Sequence, residues 1–350
     1  MPDIARRKRL VHENRVTPMP VLINVFPRPS PLPTVRAIRV WLLLAAIANF
    51  VSTAIPLISS VTHQIFGVGN WASSWTRDPE PTRVWFFWTF LGFGCLWATL
   101  FLFIRAEPVG RRSLLRVGIA EKAITTVAVW SEYLVFDDVR PVLPVIILVT
   151  DLLFVVVFAW AVRMLDRLAP LLDPDEARRP HGSSPPARWL LRSVAIPTFV
   201  GGVLLAVVGV IARIGASSEC LPDRATGASD PPASCRLLAI TELWALPPFV
   251  VWLWGGMTAV LAGMLMWISA DVVQRRDAMR FGVVGYLIPV VAVAIARFSE
   301  NATQRPPTPF LLFVIVGGAV AAGAVWLAAR RADASALVFG VDLPPRVIVR

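Results

Sequence analysis

Two apolar stretches of this 350-residue chain contain charged side chains that could do chemistry. Asp151 lies in the apolar run 146–157, and Glu121 and Lys122 lie about two turns into a second run that begins near residue 114. A charge is costly inside a membrane, so a functional role is the default hypothesis for such residues. Thr125 follows Lys122 by about one turn and completes the candidate site.

The spacing allows an ion pair between Lys122 and Asp151. At a helical rise of 1.5 Å per residue, Lys122 lies about 12 Å and Asp151 about 17–18 Å from the inner ends of their helices, and a long lysine stem covers this difference of about 6 Å. Only Lys8 and Lys122 are lysines, and an ammonium group changes its protonation more readily than a guanidinium. Two interpretations stay open: a packed ion pair that fixes the register of two helices, or a group that handles a ligand or a proton.

No catalytic motif accompanies these residues. The three histidines, His12, His63 and His181, all lie outside the predicted membrane spans, which argues against a haem held by two histidines. The chain has no phosphate-binding loop and no zinc motif. We therefore predict no metal and no cofactor, and we favour a binding or structural protein over an enzyme without excluding an enzyme.

The composition is that of a membrane protein. Hydrophobic residues make up 56% of the chain and charged residues 16%, with a mean hydropathy of +0.65. Soluble domains carry about 25% charged residues. The net charge of +11 comes almost wholly from arginine. Because the sequence contains no soluble basic domain, we attribute this charge to membrane orientation and expect no nucleic-acid partner.

Eight apolar segments predict an all-α polytopic membrane helix bundle. These predicted spans cover residues 40–60, 84–104, 114–134, 142–162, 189–214, 248–269, 281–296 and 310–329. The predicted organisation is a disordered basic cytoplasmic tail (1–37), a four-helix membrane half (38–163), a cytoplasmic linker (164–188), a second four-helix half (189–331) and a cytoplasmic tail (332–350).

The positive charges predict the orientation of the chain. With a cytoplasmic N-terminus, 25 lysines and arginines fall on the inner side and 8 on the outer side. The positive-inside rule then places both termini in the cytoplasm. Heavy use of arginine, alanine and proline is typical of a GC-rich bacterial coding sequence, so we expect the inner membrane of a bacterium.

A stretch of seventeen residues, 106–122, returns 164 positions later as 270–286, with six identities. Each copy joins two predicted spans through an Arg-Arg turn. This predicts a parallel 4+4 internal repeat, although any two Arg-Arg turns between spans look alike. The alignment matches Glu121 and Lys122 with Gly285 and Tyr286. Matching Trp160 with Trp326 places Asp151 against Gly317, so the second half lacks the charges.

The cysteines fit this topology. Cys220 and Cys235 both fall in the predicted outer loop 215–240, where an oxidising compartment favours a disulfide. The alternative is a pair of free thiols. No histidine or cysteine pair joins them at the spacing of metal ligands, so we predict no metal there. Cys95 lies inside the second predicted span and is predicted to be a small core residue.

Residues of about 75–165 resemble a known family. The residues that carry the resemblance are Trp75, Arg77-Asp78-Pro79, Arg111-Arg112, Glu121-Lys122 and Asp151-Leu-Leu-Phe154. They are similar to uncharacterised four-helix bacterial membrane proteins of the DoxX-like type, which have a short basic turn and an acidic residue in the fourth helix. Some members of that group are associated with respiratory or thiol redox systems, so the resemblance implies a redox role.

Three functional hypotheses follow. The first is a protein that binds or transports a small molecule, a lipid or an ion at a polar site formed by Lys122, Asp151, Glu121 and Thr125. The second is a structural or accessory subunit that associates with another membrane protein. The third is an accessory to a membrane redox system, which would carry a quinone or a chromophore.

Overall fold

A computed structural model describes residues 33–66, 84–134, 145, 148–172, 184–217, 248–297 and 308–338. Within these ranges the chain forms eight α-helices, one π-helical turn and one 3-10 turn, and it contains no β-strand. The predicted all-α class is therefore confirmed. The helices are α1 (Pro33–Phe66), α2 (Val84–Ala106), α3 (Leu114–Leu134), α4 (Leu153–Leu172), α5 (Pro185–Ser217), α6 (Pro248–Ala270), α7 (Met279–Arg297) and α8 (Thr308–Val338).

Six of these helices are long and apolar enough to cross a membrane: α1, α2, α5, α6, α7 and α8. This is the pattern of a multi-pass membrane protein. The other two, α3 and α4, have 21 and 20 residues but carry charged side chains near the middle of the helix. Glu121 and Lys122 lie in α3, and Asp166 and Arg167 lie in α4. The two helices that are less apolar are therefore α3, which carries part of the candidate site, and α4, which packs against it.

Several helix ends differ from the predicted span ends. Helix α3 has the predicted bounds, but α1 begins at Pro33 and α8 continues to Val338. Residues 33–37, which were predicted as disordered, are therefore helical, and α8 continues into the predicted C-terminal tail as far as Val338. The linker predicted at 164–188 is shorter, because α4 continues to Leu172 and α5 begins at Pro185. Apolar content marks the part of a helix inside the membrane, whereas the backbone hydrogen bonds continue into the polar ends.

The fourth predicted span, 142–162, includes a π-helical turn. Leu148–Leu152 forms a π-helical turn, and α4 follows it directly from Leu153. A π-helical turn bonds each residue to the one five positions along and widens the helix locally. Asp151 lies in this turn.

The helices pack in consecutive pairs. Helix α1 packs against α2, α3 against α4, α5 against α6 and α7 against α8. The first four helices contact the last four where α2 packs against α7 and where α3 packs against α6. Aromatic side chains fill these contacts. Phe101 and Phe158 lie with ring centroids 4.9 Å apart, and Phe103 and Phe281 lie 5.2 Å apart.

Helices α5 and α6 approach closely through small residues. A Cβ atom on Gly202 would lie 2.8 Å from the backbone nitrogen of Ala259, and a Cβ on Gly255 would overlap the backbone of Ala206. Small residues spaced four apart on both helices allow this approach, as in many membrane helix pairs. The outer face of α5 exposes aliphatic side chains, including Leu204, which is 59% exposed.

The two basic turns have the same construction. Arg111 donates a hydrogen bond to the carbonyl of Phe103, and its guanidinium carbon lies 3.6 Å from the centroid of that ring. Arg275 donates to the carbonyl of Trp267 and lies 4.0 Å from its ring centroid. Burial lowers the pKa of both guanidinium groups from its ordinary value, and the neighbouring Glu107 and Asp271 oppose this shift. Each turn therefore closes the end of the preceding helix with an arginine eight residues further on.

The predicted disulfide of Cys220 and Cys235 falls outside the described residues and stays a prediction. Cys95 is a free thiol on α2, partly buried, with its Sγ 3.4 Å from Oγ1 of Thr53. Cys95 was predicted to be a core residue, but it is only partly buried and lies beside α1 at Thr53.

Candidate functional site: a buried ammonium among three helices

The candidate site is built around the ammonium of Lys122. Its Nζ lies 2.9 Å from Oδ1 of Asp151 and 3.6 Å from Oε2 of Glu121. It also donates a hydrogen bond to Oδ1 of Asn49, at 2.6 Å. The ion pair that the spacing of Lys122 and Asp151 allowed is present, and Asn49 adds a third helix. These four residues are called the Lys122 cluster below.

All four residues of the Lys122 cluster are buried, with 3–5% of each residue exposed. Water therefore screens the charges very little, and attraction between opposite charges is much stronger than at a protein surface. A buried ion pair also loses its hydration, so the hydrogen bond from Lys122 to Asn49 matters for its stability. The cluster is a closed polar site in an apolar interior.

The π-helical turn supplies the carboxylate. Asp151 lies in Leu148–Leu152, just before α4, and α4 packs against α3. A π-helical turn changes the direction in which a side chain leaves the helix, and such turns are frequent at functional sites. Oδ1 of Asp151 also lies 3.5 Å from Oγ1 of Thr150, its neighbour in the same turn.

Asn49 was missed by the sequence reasoning. It lies on α1, and its own carbonyl accepts a hydrogen bond from the hydroxyl of Thr53. The signal was present, since Asn49 is the one asparagine inside a predicted span. A neutral amide changes the hydropathy of a span less than a charge does, so hydropathy alone does not distinguish Asn49 from its apolar neighbours.

Thr125 lies one turn along α3 from the cluster and is buried, but its hydroxyl forms a hydrogen bond within its own helix. It donates to the carbonyl of Glu121 at 3.0 Å, and Thr126 donates to the carbonyl of Lys122 at 2.8 Å. This local bonding is common for threonine in membrane helices. The structure therefore brings together Lys122, Asp151 and Glu121, and it assigns Thr125 no contact with their charged atoms.

Two polar atoms of the Lys122 cluster have no hydrogen-bond partner in the part of the chain that the structure describes. They are Oε2 of Glu121 and Nδ2 of Asn49. Oε2 has only its ion-pair distance of 3.6 Å to Lys122. Buried polar groups are nearly always bonded, so these two atoms are the places in the Lys122 cluster where a further partner could bind.

In the predicted repeat, the position that matches Lys122 carries a neutral side chain. Tyr286, which the sequence alignment matches with Lys122, lies with its hydroxyl 3.0 Å from the hydroxyl of Thr198 on α5. Its backbone carbonyl lies 3.0 Å from the position of a Cβ on Gly318. The contacts of Tyr286 are therefore with a hydroxyl group and a glycine, and neither of these residues is charged.

The Lys122 cluster offers oxygen and nitrogen ligands but lacks the composition of a metal site. No group of three or more histidine, cysteine, aspartate and glutamate side chains comes together among the described residues. Two carboxyl groups beside one ammonium are suited to binding and releasing a proton.

Compared with protein-family models, with curated proteins and with solved structures, the chain matches none.

Proposed function

We propose that this chain is a membrane protein in which the Lys122 cluster binds a proton, and that this proton serves the binding or transport of a small molecule, a lipid or an ion. One observation carries the proposal. The buried cluster holds two carboxyl groups and one ammonium, and one carboxyl oxygen has no hydrogen-bond partner among the described residues.

The charge balance supports a bound proton. If Glu121, Asp151 and Lys122 were all ionised, the cluster would carry one net negative charge. An uncompensated charge away from water is strongly unfavourable. The cluster becomes neutral when it takes up one positive charge. Oε2 of Glu121, which has no hydrogen-bond partner among the described residues, is the atom that could accept this proton.

A proton suits the geometry better than a metal ion. The ammonium of Lys122 already lies among oxygens of Asp151, Asn49 and Glu121, where a metal ion would have to lie. A metal ion would need to displace this ammonium, whereas a proton adds to a carboxyl oxygen with no such movement. Buried acidic residues in membrane spans commonly form proton relays.

We also propose eight spans. Helix α3 has 21 residues, and the π turn with α4 has 25, from Leu148 to Leu172. A hydrocarbon layer of about 30 Å needs about 20 helical residues. Glu121 and Lys122 of α3 and Asp151 of the π turn are directed into the buried cluster, which supports a membrane setting for these parts of both helices.

Matching contacts support the proposed internal repeat. Arg112 pairs with Asp166 at 3.0 Å, and Arg276 pairs with Asp333 at 3.4 Å. Gly118 lies against α2 and α4, and Gly282 lies against α6 and α8. Residues of α2 and α3 lie 164 positions before the residues that match them in α6 and α7. Residues of α4 lie 167 positions before the residues that match them in α8. A spacing of 167 matches Asp151 with Gly318, one residue from the Gly317 of the sequence alignment.

The proposed location is the inner membrane of a bacterium, with the Arg-Arg turns in the cytoplasm, because arginine is concentrated at that end. The DoxX-like resemblance of residues 75–165 stays a prediction. Of the alternatives, the accessory subunit has one observation in its favour, since Lys122 joins α1, α3 and the turn before α4. A redox accessory has no comparable contact in the described residues.

Infrared spectroscopy of the protein in lipid vesicles tests the proton. A buried neutral carboxyl gives a carbonyl band separate from that of a carboxylate. We expect the wild type to show this band at neutral pH. Glu121→Gln should remove it wherever the proton lies, because Lys122 and Asp151 then balance each other. Lys122→Met should enlarge it, because two carboxyl groups then lack a cation.

The matched control is Glu107→Gln, which removes a carboxylate whose side chain is 62% exposed. This variant should keep the band. Absence of the band from the wild type, or its survival in Glu121→Gln, would overturn the proposal and leave the packing role as the better explanation. Circular dichroism of each variant shows whether the helices are intact.

A further inference from the structure

Helices α5 and α8, which pack against each other, are rich in exposed arginine at one end of the bundle. Two arginines lie near the start of α5 and two lie in the last turns of α8, and all four are exposed. Two exposed tryptophans accompany them. We call this set the arginine surface: Arg188, Arg192, Arg330, Arg331, Trp189 and Trp326.

The arginines of the two helices lie at about the same level. Arg192 donates a hydrogen bond to Ser269, close to the end of α6, at 3.3 Å. Gly282 lies against both Leu265 and Val325, so these two residues lie at about the same height along the helix axes. Ser269 lies one turn beyond Leu265, and Arg330 lies little more than one turn beyond Val325. Arg192 and Arg330 therefore reach a similar depth.

The surface has little acidic compensation in the described residues. Asp333 is the one carboxylate of α5 and α8 in these ranges, and it pairs with Arg276 at 3.4 Å. Arg330 lies over the ring of Trp326, 5.1 Å from its centroid. This contact leaves the fork of guanidinium donors open to another partner.

The neighbouring side chains are of the types that are found at the boundary between a membrane and water. Trp189 is 69% exposed and Trp326 is 49% exposed. Exposed tryptophan concentrates at the level of lipid headgroups. Leu327, 46% exposed, continues the outer face of α8 with an aliphatic side chain. Arginine beside tryptophan and aliphatic residues fits a molecule with an anionic head and apolar chains.

We propose that the arginine surface binds an anionic phospholipid through its phosphate. Guanidinium groups match phosphate oxygens in a bidentate geometry and remain charged at all relevant pH values. Basic pockets between membrane helices bind anionic headgroups in this way. Charge complementarity therefore selects phosphatidylglycerol over phosphatidylcholine, while the tryptophans and Leu327 contact the region where the chains begin.

Native mass spectrometry of the full chain in mild detergent tests this. The protein is titrated with phosphatidylglycerol and, separately, with phosphatidylcholine. We expect the wild type to retain phosphatidylglycerol preferentially. The Arg188→Gln/Arg330→Gln variant should bind it roughly thirty-fold more weakly, given the usual contribution of each arginine near a membrane surface.

The control variant removes the same charge from the same end of the bundle. Arg105 on α2 and Arg280 on α7 are exposed and lie outside the arginine surface, so Arg105→Gln/Arg280→Gln should retain the wild-type affinity. Equal weakening in this control would overturn the proposal in favour of general attraction by positive charge. Equal binding of both lipids, or displacement of the lipid by inorganic phosphate alone, would also overturn it.

Discussion

Lys122 on α3 donates a hydrogen bond to Oδ1 of Asn49 on α1 at 2.6 Å, while Asp151 accepts the same ammonium at 2.9 Å. One nitrogen thus connects α1, α3 and the turn before α4. Removing one partner leaves a buried group with one contact fewer, and each removal therefore has a measurable effect on folding or on charge.

The first prediction concerns Asn49. Asn49→Ala removes an acceptor of the buried ammonium, and Lys122 has no water to replace it because the residue is 3% exposed. A lost partner of a buried polar group costs about 1–3 kcal/mol. We expect the thermal unfolding midpoint in detergent to fall. Thr99→Val is the control, since Thr99 is exposed and donates only within α2. Equal midpoints for Asn49→Ala and the wild type would show that the amide does not hold Lys122.

The second prediction is a coupling between Lys122 and Asp151. In a Glu121→Gln background the two residues form an isolated pair, and replacing either with leucine leaves one buried charge. Each single change should destabilise by about 3–5 kcal/mol, and the double change by much less than the sum. Reversible unfolding of the four proteins gives the cycle. Additive effects would mean that the two charges do not interact.

A third prediction concerns the residues outside the described ranges. We expect Cys220 and Cys235 to form a disulfide in the outer loop. Labelling with an impermeant maleimide, before and after reduction, reports this on intact cells. Both thiols should label only after reduction, and Cys220→Ser should expose Cys235 to labelling without it. Labelling of both cysteines in the unreduced wild type would mean two free thiols.

The sequence predicted the helices well where a charged turn marks their ends. Helix α3 has the predicted bounds, and its start follows the Arg111-Arg112 turn. The π-helical turn within the fourth predicted span was not predicted, because no local pattern of apolar residues distinguishes a π-helical turn from an α-helical one. The long polar ends of α1 and α8 were missed for a different reason, since hydropathy responds to the membrane and not to the helix.

The charged part of the site was accessible to sequence reasoning because a charge in an apolar run stands out. Helical rise alone showed that Lys122 and Asp151 could meet across the predicted hairpin of the third and fourth spans. Asn49 could not be placed in this way, because it depends on which helix packs beside α3. Its contact arises from the approach of α1 to α2 and α4, which is a property of the whole bundle.

The last prediction tests the close approach of α5 and α6. A Cβ on Gly255 would overlap the backbone of Gly202 and Ala206, and backbone atoms cannot move aside without separating the helices. We expect Gly255→Ala to lower stability by about 1–3 kcal/mol, as overpacking does. Gly263→Ala on the same helix is the control, because nothing lies within 4 Å of its added Cβ. There the gain in helix propensity should stabilise the protein by about 0.5–1 kcal/mol or leave it unchanged. Thermal unfolding of the two variants side by side separates the effects, and equal midpoints would mean that the two helices are further apart than the structure has them.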